Sequence, residues 1–167
     1  MSKFRTLPID EAVAWIRAWT DHTWPMSLQE AFAIRDSLGW QPSSQEPRYF
    51  TTKLSIDGKE DGIIFRSNEF GIKGVRFRLS SRCTSDDNDQ INRLSHSSYS
   101  QYVSSLRQLW GPGDSSESDG VTDSSWTLPN GLSVSIFGMN GLITIEIESP
   151  WLTQITQEYD RIVGRND

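Results

Sequence analysis

Behind Pro8, the residues Ile9, Ala12, Val13, Ile16 and Trp19 recur at spacings of three and four. That rhythm predicts a helix over residues 8–20 with one apolar face. Ser27-Leu28-Gln29-Glu30 reads as a reciprocal capping box opening a second helix, with Leu28, Ala31, Ile34 and Leu38 as its buried stripe and Gly39 as a left-handed stop. Near Tyr49 the period shortens to two. Phe50, Thr52, Leu54 and Ile56 alternate with less hydrophobic residues, Asp57-Gly58 suits a turn, and a further strand is expected around Ile63-Ile64-Phe65. Val75, Phe77 and Leu79 then form one strand face, with Arg76, Arg78 and Ser80 on the other. The connections are too short for parallel crossovers, so this region reads as an antiparallel meander.

Helical spacing returns at Tyr99, Tyr102, Val103, Leu106 and Leu109, and Gly111-Pro112-Gly113 stops it. The polar run Asp114–Gly120 has little to bury, and residues 113–125 are expected to form a mobile acidic surface loop. Asn130-Gly131 signals a hairpin leading into Leu132, Val134 and Ile136. A turn at Gly138-Met139-Asn140-Gly141 separates these from Ile143, Ile145 and Ile147, whose alternation leaves Glu146 and Glu148 on the opposite face. Ser149-Pro150 opens a last helix carrying Trp151, Ile155, Tyr159 and Ile162. The expected order is ααβββαβββα. This is an α+β fold, mainly an antiparallel sheet with helices packed on one face, in a single domain spanning 1–167.

Apolar residues make up only 35% of the chain, but seven Trp and seven Phe fill a core with few positions. Cys83 is the single cysteine, which excludes an intrachain disulfide and every multi-cysteine metal motif and fits a reducing compartment. The first fifteen residues mix charges with short apolar pieces, unlike a secretory signal. No stretch approaches the length of a membrane span, so a cytoplasmic location is expected. A net charge of -6 opposes general nucleic-acid binding. The charge is segregated: residues 49–82 hold seven basic and four acidic residues, residues 83–125 two basic and seven acidic.

The chemistry-bearing residues are scattered. His22 and His96 belong to no HExxH pattern, so a catalytic grouping with Cys83 would need convergence in space. Asp86-Asp87-Asn88-Asp89 offers oxygen ligands without the Gly and terminal Glu of a calcium loop and reads as a hydrated segment. Arg76 and Arg78 are set against Glu146 and Glu148 for cross-strand compensation. Gly71 and Gly74 lack phosphate-loop order, and Trp24, Trp40, Trp110, Trp126 and Trp151 stand beside caps or turns where packing explains them. The expectation is a non-enzymatic chain with no metal and no cofactor.

Leu38-Gly39-Trp40, Leu109-Trp110-Gly111-Pro112, Trp126-Thr127-Leu128-Pro129-Asn130-Gly131 and Ser149-Pro150-Trp151 together resemble a group of actinobacterial α+β proteins found among candidate immunity proteins for secreted toxins. The resemblance covers roughly residues 7–163. It implies an intracellular protein that binds and inhibits a cognate toxin domain, one to one, by occlusion. The residues expected to contact that partner are Asp86, Asp87, Asp89, Asp114, Glu117, Asp119 and Asp123, with Trp110 and Trp126 as aromatic anchors. A secretion chaperone or adaptor is the alternative, and an enzyme a more distant one.

Overall fold

The computed structural model describes residues 4–83 and 88–164, so Asp86 and Asp87 lie outside the described residues. Its helices are α1 (Ile9–Thr20), α2 (Leu28–Ser37), α3 (Asp89–Trp110) and α4 (Pro150–Gly164). The strands are β1 (Gln41–Pro42), β2 (Tyr49–Thr51), β3 (Gly62–Ile64), β4 (Ser67–Asn68), β5 (Gly71–Ile72), β6 (Gly74–Arg78), β7 (Asp114–Ser118), β8 (Val121–Thr127), β9 (Ser133–Met139) and β10 (Leu142–Glu148). Eight strands form one sheet in the order β1-β2-β3-β6-β10-β9-β8-β7, and β4-β5 is a separate small hairpin. Every pairing is antiparallel. The architecture is α+β, as the alternating pattern predicts.

Period-two alternation decides which face is sealed. Val75 and Phe77, Val134 and Ile136, and Ile143, Ile145 and Ile147 are all fully buried. Helices α1 and α3 cover this inner face. From α1 come Ala12, Trp15, Ile16 and Trp19; from α3 come Tyr99, Tyr102, Val103 and Leu106. Trp40 lies at the centre, stacked 4.7 Å from Phe50 and 6.0 Å from Trp19. Two strand glycines are set by aromatic rings. A Cβ on Gly138 would sit 2.5 Å from Tyr99 of the helical layer, and one on Gly62 would overlap the ring of Phe50 on the neighbouring strand, so side chains at either position would meet an aromatic ring.

The capping box at Ser27 and Glu30 forms as expected, each side chain bonded to the other's backbone N–H, and Gly39 takes a φ of 77° after α2. Ser149 Oγ accepts from the Leu152 N–H in the first turn of α4. Three expectations are corrected. The strand expected over residues 50–56 ends at Thr51, where Thr52 and Ser55 exchange bonds and turn the chain. Helix α3 starts at Asp89, well before Tyr99, its first expected apolar position, because the Asn88 side chain caps the N–H groups of Gln90 and Ile91. The segment expected as a loop at 113–125 is a hairpin, β7 and β8, at the end of the sheet.

Candidate functional site

A serine-rich acidic run holds strand geometry because its hydroxyls are bonded to the helical layer. Tyr99 Oη and Ser124 Oγ are 3.0 Å apart, Ser124 and Ser115 3.1 Å apart, and Arg107 donates to Ser115 at 3.1 Å. This chain ties the middle of β7–β8 to α3. Asp119 and Gly120 both have positive φ, 54° and 78°, which is the two-residue turn that joins strongly twisted hairpin strands. Asp114, Glu117 and Asp119 are exposed, and Asp123 is half-buried, accepting from Ser116 at 2.9 Å. Asp89 is exposed at the start of α3. Among the described residues strand β7 is paired only with β8, so its other edge presents unpaired backbone groups there.

The two tryptophans expected as anchors pack against each other. Trp126 is 4% exposed, its indole N–H donates to the Gly111 carbonyl at 2.9 Å, and its ring meets Trp110 edge-on at 5.7 Å. Together they fasten the end of α3 to β8. Trp126 therefore supports the hairpin and offers no surface to a partner; Trp110, half-buried, keeps part of its ring at the surface.

The outer face of the sheet carries charges at half-exposed positions. Arg76 and Glu146 are register partners on β6 and β10, with Nε and Oε2 3.5 Å apart, as the sequence pattern anticipates. Arg78 takes another partner. Its register neighbour is Thr144, and its guanidinium reaches Asp61 at 3.3 Å, just before β3. Burial pushes the Asp61 carboxyl up, against the Ser55 hydroxyl bond and the charge of Arg78, and burial pushes Arg78 down. The Glu148 carboxyl is raised by burial and then by the neighbouring charge of Glu146.

Beside these charges lies an open groove of about 320 Å³, lined by Phe65, Arg66, Lys73, Arg76, Glu146 and Leu152. Phe65 and Arg66 run on past β3, bonded to Gly74 and Lys73 across the ladder. Arg76 lies over the Phe65 ring, 5.3 Å from its centre. Leu152 enters from α4, so that helix begins at the outer face. Sequence reasoning missed this groove. The only trace was the basic excess of residues 49–82, since Glu146 and Leu152 are far away along the chain.

His22 bonds the Thr23 carbonyl through one ring nitrogen and faces Glu30 at 3.3 Å through the other. Cys83 is half-buried, with its N–H on the Gly141 carbonyl, and His96 lines a small crevice with Tyr99 and Met139. Among the described residues no three His, Cys, Asp or Glu side chains group to hold a metal. No helix among them is long and apolar enough to cross a membrane.

These features define a class: a small α+β protein built on one antiparallel sheet, sealed by helices on its inner face and with half-exposed, charge-bearing positions on its outer face. The chain belongs to a family of unknown function, DUF6301, whose model matches residues 10–149. That span runs from α1 to the end of β10 and takes in both the acidic hairpin and most of the groove. No curated protein and no solved structure matches the chain.

Proposed function

We propose that this protein is a cytoplasmic immunity protein that binds a cognate secreted toxin domain, one to one, and inhibits it by occlusion. The observation that supports this reading most is the ordered acidic edge at β7–β8. Asp114, Glu117 and Asp119 stand exposed on a hairpin held rigid by the Tyr99–Ser124–Ser115–Arg107 chain, so little order has to be gained on binding. Fixed carboxylates at a sheet edge complement a basic cleft, speed the encounter and set its register. Lasting affinity then comes from apolar contact, to which Trp110 contributes at the base of the hairpin. The toxin's chemistry is left open by this reading.

The free edge of β7 supports a second reading, a secretion chaperone that adds an extended export segment as a further strand. Affinity purification from the native cell, followed by assay of the purified partner, separates the two. A folded toxin domain whose activity falls to zero at one equivalent of this protein supports immunity. A partner that keeps full activity at saturation, or a transport component binding through an extended segment, removes it.

A further inference from the structure

Among the described residues, Arg66, Lys73 and Arg76 share the groove on the outer face with one carboxylate, Glu146, in a chain whose net charge is -6. We propose that this groove binds an acidic segment of a partner polypeptide, with one aliphatic side chain seated between Phe65 and Leu152 and flanking carboxylates on Arg66, Lys73 and Arg76. The proposal is independent of the acidic hairpin, which is four strands away from β6 and roughly 19 Å across the sheet at about 4.8 Å per strand.

The cations are placed for an incoming anion. Among the described residues Arg66 and Lys73 take part in no ion pair. An acid within electrostatic reach of Arg66 is Glu46, whose carboxylate is already bonded by Arg48. Arg76 is fixed from two sides, by the Phe65 ring and by Glu146 at 3.5 Å. That separation is too long for a good hydrogen bond and leaves the guanidinium's donors for a second carboxylate.

The apolar component narrows the ligand class. Phe65 and Leu152 form walls of the groove. A bare anion would leave these walls wet, a neutral apolar segment would leave three cations unanswered, and a basic one would be repelled. An alternating acidic and aliphatic segment satisfies both parts.

The test is a backbone amide NMR titration of the full labelled chain with a capped pentapeptide of alternating aspartate and leucine. The comparison probes are capped pentaaspartate, the same alternating peptide with lysine for aspartate, and inorganic phosphate. The expected result is saturable shifts at the amides of Phe65, Arg66, Lys73, Arg76 and Leu152, at least about tenfold weaker for pentaaspartate and absent for the lysine peptide. The double variant Arg66→Glu, Lys73→Glu, at two positions on the groove rim, should weaken binding by at least about tenfold while keeping the rest of the spectrum. No saturable shift on the unmodified chain, shifts centred on another surface, or an equal response to phosphate or pentaaspartate would each overturn the proposal, the last by reducing the groove to a bare anion site.

Discussion

On β10, Ile143, Ile145 and Ile147 are sealed beneath α1 and α3, whereas Thr144, Glu146 and Glu148, each one residue away, stay half-exposed on the outer face. The same backbone ladder carries both sets. An inner isoleucine contributes about 1.5–3 kcal/mol through burial, while a partly exposed pair such as Arg76–Glu146 contributes less than about 1 kcal/mol. Stability is thereby concentrated on one face, and the other is left to carry charge, shape and partners. The two faces should separate by experiment.

The largest effect is expected on the inner face. Phe77 is fully buried, with its ring 5.1 Å from Trp40 and 6.3 Å from Trp15, and Phe77→Ala should cost about 3–5 kcal/mol in urea unfolding. Its outer-face neighbour gives the control. Arg76→Ala should cost less than about 1 kcal/mol, and equal losses for the two variants would break the contrast between the faces.

Arg78 is where the outer face should resemble the inner one. The Asp61 side chain is only 5% exposed, so Arg78→Met leaves a buried carboxylate without its cation, at a cost of about 2–4 kcal/mol at neutral pH. A folded-state carboxyl pKa raised above its unfolded value means that the native state holds the proton more tightly. The deficit should therefore be full above the folded pKa and shrink as pH falls through it, because the carboxyl is then neutral in the variant's native state. Adding Asp61→Asn to the variant should recover most of the loss. A deficit independent of pH would assign the cost to lost packing of the Arg78 stem.

What could be read beforehand follows from how local each signal is. The capping box at Ser27 and the Val75-Phe77-Leu79 face need only nearby residues or face alternation. Alternation gives a face and no neighbour, so Arg78 was paired with the wrong strand's acids and Asp61 was not seen. Asp119-Gly120 is a hairpin-type dipeptide, but it sits in a polar run that reads as a loop. What makes serines acceptable in β7 and β8 is the hydroxyl chain to Tyr99 and Arg107, a tertiary fact. The groove joins residues 65–76 with Glu146 and Leu152, a juxtaposition that only the strand order β3-β6-β10 creates.

A smaller effect tests whether the outer face is compensated. Burial and the charge of Glu146 both raise the Glu148 carboxyl, so its ionisation opposes folding. Glu148→Gln should be more stable than the parent at neutral pH, by less than about 1 kcal/mol after solvent screening. That advantage should fade as pH falls through the raised folded-state pKa, and vanish below the ordinary glutamate value, where both side chains are neutral. Melting temperatures of the two proteins across this range measure it. A parent more stable than the variant at neutral pH would show that a cation such as Lys73 pairs with Glu148.

The smallest change in stability is expected at the acidic hairpin, where it matters most for function. Asp114→Asn, Glu117→Gln and Asp119→Asn remove three exposed charges while leaving the Tyr99–Ser124–Ser115–Arg107 chain in place. Asn also accepts the left-handed backbone at position 119, where φ is 54°. The triple variant should unfold within about 0.5 kcal/mol of the parent. Ser124→Ala, which keeps every charge, should lose about 1–2 kcal/mol because Tyr99 and Ser115 lose a buried partner. If the hairpin serves recognition, the triple variant should also slow partner association, most strongly at low salt, where the parent's charges are least screened. A loss of more than about 1 kcal/mol in the free triple variant would instead make these acids structural. The acidic edge would then carry fold, and the proposed immunity function would lose the residues that support it.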